Sequence, residues 1–139
     1  MTRGLRRFLR KEDGATAVEF ALVLPVLLTI LFGIICFGQY FAIANSLQQL
    51  AAEAARHSVS GLAESERANL AAAYLDATGA RFSFLGADKV SSTVTMIPGA
   101  VPAIEIAVTY DLTGSAVDIA DGFLGLDIPT ITRRSYLAY

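Results

Sequence analysis

The chain has 139 residues, of which 54% are hydrophobic and 17% are charged, and its mean hydropathy is +0.51. Soluble domains carry about 25% charged residues, so this composition indicates that part of the chain lies in lipid. The length excludes a multidomain enzyme, because a domain takes roughly 100 to 200 residues. The single cysteine excludes an internal disulfide framework and a cysteine-based metal cluster, and the single histidine leaves few catalytic arrangements.

The formal net charge of −2 conceals an asymmetry along the chain. Basic residues crowd the first eleven positions, whereas the acidic residues are spread from Glu12 to Asp127. The early basic residues are Arg3, Arg6, Arg7, Arg10 and Lys11. Because no basic cluster remains outside this terminus, we expect no nucleic-acid partner.

A long apolar segment follows the basic terminus. Residues 20–41 contain no Asp, Glu, Lys or Arg, and about 20 apolar residues are enough for a helix to span the hydrocarbon core of a bilayer. Basic residues before the span, with none directly after it, predict a cytoplasmic N-terminus and an extracytoplasmic C-terminal part. Tyr40 and Phe41 are expected near the outer lipid interface, where aromatic rings are favoured.

The helix is predicted to continue beyond the lipid. After Asn45, apolar residues recur on one stripe with a helical period, while Gln48, Gln49, Glu53 and Arg56 face elsewhere. The stripe consists of Leu47, Leu50, Ala51, Ala54 and Ala55. We therefore expect one helix from about Thr16 to about Ser58, with its first half in the membrane and its second half acting as a stalk or packing surface.

A second helix and a small sheet are predicted after Ser58. Acidic residues at Glu64 and Glu66 favour a helix start, and Gly79 is a candidate C-terminal cap for a helix over residues 64–77. Beyond it the apolar pattern changes to alternation, which predicts strands at residues 90–97, 104–112 and 128–137. Residues 113–127 could form either a short helix or a loop near the membrane. The expected fold class is therefore α+β, with a small antiparallel sheet.

Two residues of the apolar helix are unusual for a simple anchor. Glu19 places a carboxylate inside the apolar end of the helix, where a charge costs up to about 2.5 to 3.5 kcal/mol at the bilayer centre. It is therefore either an interfacial residue that snorkels or one half of an ion pair. Pro25 has no N–H to donate to the carbonyl of Ala21, so a helix kink is expected there.

The run from Gly14 to Phe20 resembles the cleavage site of type IV prepilins and pseudopilins. It combines a short basic leader, a glycine, and a glutamate at the fifth position after the cut. The wider stretch from Arg6 to Arg56, with the motifs EDGATAVEFALVLPVLL and LQQLAAEAAR, resembles the TadE-like family of minor pseudopilins from tight-adherence (Flp-type) pilus systems. The resemblance implies a pilin-like fold built on a long N-terminal helix.

The resemblance implies roles for particular residues. A prepilin peptidase would cleave between Gly14 and Ala15, and Glu19 would pair with the new amine of Ala15 on a neighbouring subunit. Glu19 and Phe20 would serve peptidase recognition and assembly, and the bend at Pro25 would help packing or extraction from lipid. Phe20 stands where the major pilins usually carry tyrosine, and the chain is far longer than those pilins, so the resemblance implies the minor class.

The sequence thus predicts a non-enzymatic pilus assembly protein of the bacterial inner membrane. Residues 1–14 would be a cytoplasmic leader, residues 15–58 a transmembrane and stalk helix, and residues 59–139 a small extracytoplasmic domain. The expected partners are a prepilin peptidase, other pilins or pseudopilins and membrane lipid, with no cofactor and no metal. Whether the subunit enters the surface pilus stays open.

Two alternatives remain at this point. An uncleaved single-pass scaffold of the pilus export apparatus would carry the same helix. A secreted protein would instead be cut after Ala44, because Ala42-Ile43-Ala44 satisfies the small-x-small rule of signal peptidase. The apolar segment is longer than the roughly 7 to 15 residues of a signal-peptide core, which disfavours the second alternative.

Overall fold

The fold is described from a computed structural model that covers residues 12–77, 82, 84–125 and 127–139. The basic residues before position 12 and the candidate cap Gly79 lie outside these residues. Over these residues the elements run in the order helix, helix, short 3-10 helix (Ala87–Lys89), strand, strand, helix, strand. The expected α+β class with a long N-terminal helix and a small antiparallel sheet is thus confirmed. By backbone contacts the chain divides into two compact units, Met1–Cys36 and Phe37–Tyr139.

Helix α1 spans Glu12–Ser58. It begins at Glu12 rather than at about Thr16. At the other end, the hydroxyl of Ser58 donates to the carbonyl of Ala55 at 2.6 Å and that of Ser60 donates to the carbonyl of His57 at 3.0 Å. These bonds satisfy carbonyl groups that a helix end leaves without partners.

Helix α2 spans Glu64–Asp76 after a tight turn. The carboxylate of Glu66 accepts a hydrogen bond from the backbone N–H of Leu62 at 2.8 Å, so a third-position glutamate reaches back as in a capping box. A Cβ atom at Gly61 would lie 2.8 Å from the backbone nitrogen of Arg67. The turn between the two helices therefore needs glycine at this position.

The sheet is antiparallel, with strand order β1-β2-β3. Strand β1 is Val90–Ile97, β2 is Ala103–Asp111 and β3 is Thr130–Ala138. The first agrees with the predicted bounds, and the other two are shifted by one or two residues. The central strand β2 shows the expected alternation, since Ile104, Ile106, Val108 and Tyr110 are buried.

The open question about residues 113–127 is answered by a third helix, α3, at Ala116–Leu124. The hydroxyl of Ser115 accepts a hydrogen bond from the backbone N–H of Asp118 at 3.1 Å, and Gly125 ends the helix in the left-handed conformation, with φ 63°. Both are standard helix caps.

The core of Phe37–Tyr139 joins the second half of α1 to the other elements. The stripe predicted from Leu47 to Ala55 is fully buried and belongs to one apolar cluster with Ala71, Tyr74, Leu75 and the inner residues of β2. Polar contacts fix the same stretch of α1. The side-chain amide of Gln48 donates to the carbonyl of Arg134 on β3 at 3.3 Å, and the hydroxyl of Tyr74 on α2 donates to the carboxylate of Glu53.

Candidate functional site

The candidate site is the first half of α1, where large apolar side chains are exposed. This surface includes Val18, Phe20, Leu22, Val23, Val26, Leu27, Leu28, Ile30, Leu31, Ile34, Ile35 and Phe37. An 18-residue window within Gly14–Ser58 has a mean hydropathy of 2.8, and the helix is long and apolar enough to cross a membrane. Apolar residues on all sides of a helix are typical of a helix surrounded by lipid or by other helices.

The expected cleavage site lies in the first turn of this helix. Gly14 and Ala15 are both helical and exposed, although an extended backbone is what a peptidase needs at its cut. A Cβ atom added to Gly14 would meet nothing within 4 Å. Glycine is therefore not required here by packing, and it lowers the cost of unwinding the turn because it is a poor helix former.

Glu19 is exposed on the same helix, one turn after Ala15. Residues four positions apart face the same side of a helix, so the carboxylate of Glu19 and the amide of Ala15 share one face. Among the residues that the structure describes, the Glu19 carboxylate has no hydrogen bond or ion pair. Its neighbour Phe20 is also exposed. The structure thus leaves both residues accessible to a partner.

Pro25 lies inside α1, which continues as a helix on both sides of it. The hydroxyl of Thr29 donates a hydrogen bond to the carbonyl of Pro25 at 2.8 Å. This bond satisfies the polar side chain within the apolar stretch, as a lipid environment requires. The kink expected at Pro25 stays a prediction.

The exposed apolar surface ends close to the predicted end of the span. Phe37 and Phe41 are exposed, Gln39 and Tyr40 are half-buried, and Ile43 and Ala44 are buried in the core. Cys36 is the first buried residue of α1 among those described, so the change from exposure on all sides to one-sided burial falls between Cys36 and Ile43. The membrane span over about residues 20–41 stays a prediction.

Two polar contacts of α1 were not foreseen from the sequence. The backbone N–H of Ala116, at the start of α3, donates to the side-chain oxygen of Gln39 at 3.0 Å. The contact between Glu53 and Tyr74 is extended by the side-chain amide of Gln49, which donates to the other carboxylate oxygen at 3.0 Å. The Ser115 and Gly125 caps could have located α3, but nothing in the sequence pairs Gln39 with it.

Asp111, at the end of β2, has a pKa that is shifted by its neighbours. The hydroxyl and then the backbone N–H of Thr113 donate to the carboxylate of Asp111, and these bonds hold the pKa of Asp111 below its ordinary value, with a smaller contribution from Lys89. In the described part of the chain, no group of three His, Cys, Asp or Glu side chains could hold a metal ion.

The long exposed helix with its early glycine and glutamate can be compared with known families. Residues 14–56 match the family model of TadE-like proteins. The resemblance inferred from the sequence is thus confirmed over α1, from the glycine before the expected cut to the last turn of the helix. Searches of curated proteins and of solved structures found no significant match.

The TadE-like match, which lies on α1, implies a function. The family implies a role in the assembly of tight-adherence pili, as a structural component rather than an enzyme, and suggests other pilus components as partners. Together with the apolar length of α1, it suggests a membrane-anchored protein. The match covers less than half of the chain and does not extend to α2, α3 or the sheet.

Proposed function

We propose that this TadE-like protein is a minor pseudopilin or assembly component of a tight-adherence pilus or secretion system in the bacterial inner membrane. A prepilin peptidase cleaves it after Gly14, and the mature subunit packs against other pilins through the first half of α1. Its N-terminus is cytoplasmic and its C-terminal part is extracytoplasmic, and whether it enters the surface pilus stays open.

The observation that carries this proposal is the exposed Glu19 on the exposed apolar surface of α1. A carboxylate in lipid is acceptable when it is paired, because an unpaired charge loses its hydration without compensation. After cleavage, the amine of Ala15 on a neighbouring subunit is a suitable partner. A buried pair of this kind would set the register between helices, which a uniformly apolar surface cannot do.

The processing step requires a local change in α1. The Gly14–Ala15 bond is helical in the uncleaved chain, so the peptidase has to unwind the first turn before it cuts. Unwinding at Gly14 should break no side-chain packing there, since Gly14 has no side chain and its surroundings are open. Ala15 would then become the first residue of the mature helix.

The two alternatives differ in their support. An uncleaved scaffold would use the same helix and differs only in retaining residues 1–14. Cleavage after Ala44 would separate Ile43 and Ala44 from the apolar cluster to which both belong and would cut within a continuous helix. The burial of these residues therefore counts against the secreted form.

The pairing role is tested by replacing Glu19 in cells that assemble the pilus. We expect Glu19→Ala and the isosteric Glu19→Gln to fractionate with the membrane like the natural protein but to impair assembly, measured as surface piliation and adhesion. Val18→Ala is the matched control, because Val18 is also exposed, lies one residue earlier and carries no charge. Normal piliation in both Glu19 variants would refute the pairing role.

A further inference from the structure

Helix α3 buries Val117 in the core but leaves its larger apolar side chains exposed. Ile119, Phe123 and Leu124 are exposed, with 86% of the Phe123 surface accessible. Asp118 and Asp121, by contrast, are half-buried and turned toward the backbone. Large apolar side chains are normally covered and acidic ones left in water, so the outward face of α3 is built to meet an apolar medium.

The position of α3 is fixed by hydrogen bonds at both of its ends. The carboxylates of Asp118 and Asp121 accept from the backbone N–H groups of Gly114 at 2.8 Å and Ile128 at 3.1 Å. These contacts, with the two helix caps, prevent the helix from rotating its apolar face inward. The exposure of Phe123 is thus imposed by the fold rather than left to a loose loop.

The level of α3 along α1 follows from two contacts of known register. Gln48 bonds to Arg134 in β3, and Gln39 bonds to Ala116 at the start of α3. Gln48 lies nine positions after Gln39, a rise of about 14 Å along the helix at 1.5 Å per residue. From Arg134 back to Thr130, where β3 begins, is a similar distance, about 13 Å at 3.3 Å per residue. The α3 connection therefore lies at the end of the sheet that is level with Gln39.

Gln39 marks the point where α1 changes its surroundings. Phe37 and Phe41, on either side of it, are exposed aromatic residues at the end of the apolar stretch, and an apolar span of α1 would leave the bilayer here. Continuity with this boundary identifies the apolar medium as lipid. Phe and Leu on one face of a short amphipathic helix are typical of helices that lie in the membrane interface.

We propose that α3 is a second membrane contact, in which Ile119, Phe123 and Leu124 insert into the lipid surface beside the point where α1 leaves the bilayer. The contact is hydrophobic, because α3 contains two aspartates and no basic residue. It therefore requires no anionic lipid and fits a zwitterionic surface. The inference depends on α1 spanning the membrane, but not on cleavage after Gly14 or on entry into a pilus.

The chain contains no tryptophan, so single-tryptophan variants report on chosen positions. We would reconstitute full-length Phe123→Trp, Leu62→Trp and Phe32→Trp in phosphatidylcholine vesicles and measure quenching by brominated phosphatidylcholine. Leu62 is the matched control, because it is 94% exposed and follows the far end of α1, whose last residue is about 28 Å along the helix from Gln39. Phe32, within the span, reports insertion of α1.

We expect brominated lipid to quench Phe32→Trp and Phe123→Trp but not Leu62→Trp, with the Phe123→Trp emission shifted to shorter wavelength than that of Leu62→Trp. Quenching of Phe32→Trp without quenching of Phe123→Trp would overturn the α3 contact alone. Lack of quenching at Phe32→Trp would overturn the membrane span and the α3 contact together. A wavelength shift that disappears when fewer chains are present per vesicle would identify a second copy, instead of lipid, as the occupant.

Discussion

Two stretches of α1 belong to one continuous helix but have different surroundings. Residues 14–35 expose large Leu, Ile, Val and Phe side chains on all sides, whereas residues 43–58 bury a narrow stripe of Leu and Ala and expose polar residues on the other sides. Both stretches are rich in apolar residues, so composition alone does not separate them. The period of the apolar residues does, because a stripe with period 3.6 indicates one-sided burial and an all-round apolar surface indicates lipid or a helical assembly.

The difference shows how one helix can serve assembly and folding together. Small residues such as Ala51 and Ala54 let α1 pack closely in the core of Phe37–Tyr139. The larger side chains of the first half have no such partners among the described residues and remain available to lipid and neighbouring helices. We therefore expect substitutions in the two halves to affect different properties.

The largest expected effect compares one leucine from each half. Leu50→Ala removes a side chain that is 0% exposed and should lower the free energy of unfolding by about 2 to 5 kcal/mol, because it leaves a cavity. Leu27→Ala, at a position 53% exposed, should change it by less than about 0.5 kcal/mol. Urea unfolding in detergent micelles measures both, followed by tyrosine fluorescence. Equal losses in the two variants would contradict the division of α1.

A smaller effect is expected from the contact that joins α1 to α2. Tyr74→Phe removes the hydroxyl that donates to the carboxylate of Glu53, and hydrogen bonds to charged groups contribute about 1.5 to 3 kcal/mol. Because Glu53 keeps its contact with Gln49, we expect a loss near the lower end, about 1.5 kcal/mol in the same unfolding measurement. Tyr136→Phe is the control, since Tyr136 is 59% exposed, and a similar loss there would show that the Tyr74 contact does not stabilise the fold.

The smallest expected effect is a pH-dependent change in the stability of Phe37–Tyr139, the unit that contains Asp111. The pKa of Asp111 is lowered in the folded chain by its bonds to Thr113, so its stabilising contribution is present above the unfolded pKa and is lost as the pH falls through the folded pKa. Asp111→Ala should therefore be less stable than the natural protein at neutral pH, and the gap should close in acid.

The control for this measurement is Asp76→Ala, at the last residue of α2. An acidic side chain at a helix C-terminus opposes the helix dipole, so its removal should not lower the stability at neutral pH. Unfolding of both variants is followed from neutral to acid pH. A gap for Asp111→Ala that widened on acidification would contradict the assigned direction of the pKa shift.

The helices and strands were largely predictable because each depends on a local pattern. The stripe from Leu47 to Ala55 has a helical period, and the alternation from Ile104 to Tyr110 has a strand period, and both faces are buried as expected. Strand β3 was harder to predict from the sequence, because the polar residues Arg133 and Ser135 occupy half-buried positions on the same face as Ile131. Its alternation of apolar and polar residues is correspondingly weak.

The contacts between elements could not be predicted in the same way. Gln39 is a polar residue at the end of an apolar stretch, and only the fold brings its side chain to the start of α3. Helix α3 itself has cap signals at Ser115 and Gly125, but its exposed Phe123 gives no periodic sign of burial. For the candidate site, Gly14 and Glu19 were singled out by the resemblance to a prepilin cleavage site, and their roles stay predictions. The helical state of the Gly14–Ala15 bond is visible only in the structure.

The most direct test of the central claim is the intact mass of the protein purified from cells with and without the prepilin peptidase. We expect a mature chain that begins at Ala15 when the peptidase is present and a full-length chain when it is absent. Gly14→Leu should remain full-length in both, because it replaces the glycine before the expected cut. The surroundings of Gly14 are open, so the leucine side chain should not disturb the fold. A full-length natural protein in cells with active peptidase would contradict cleavage after Gly14 and support the uncleaved scaffold. A chain beginning at Asn45 would support the secreted form.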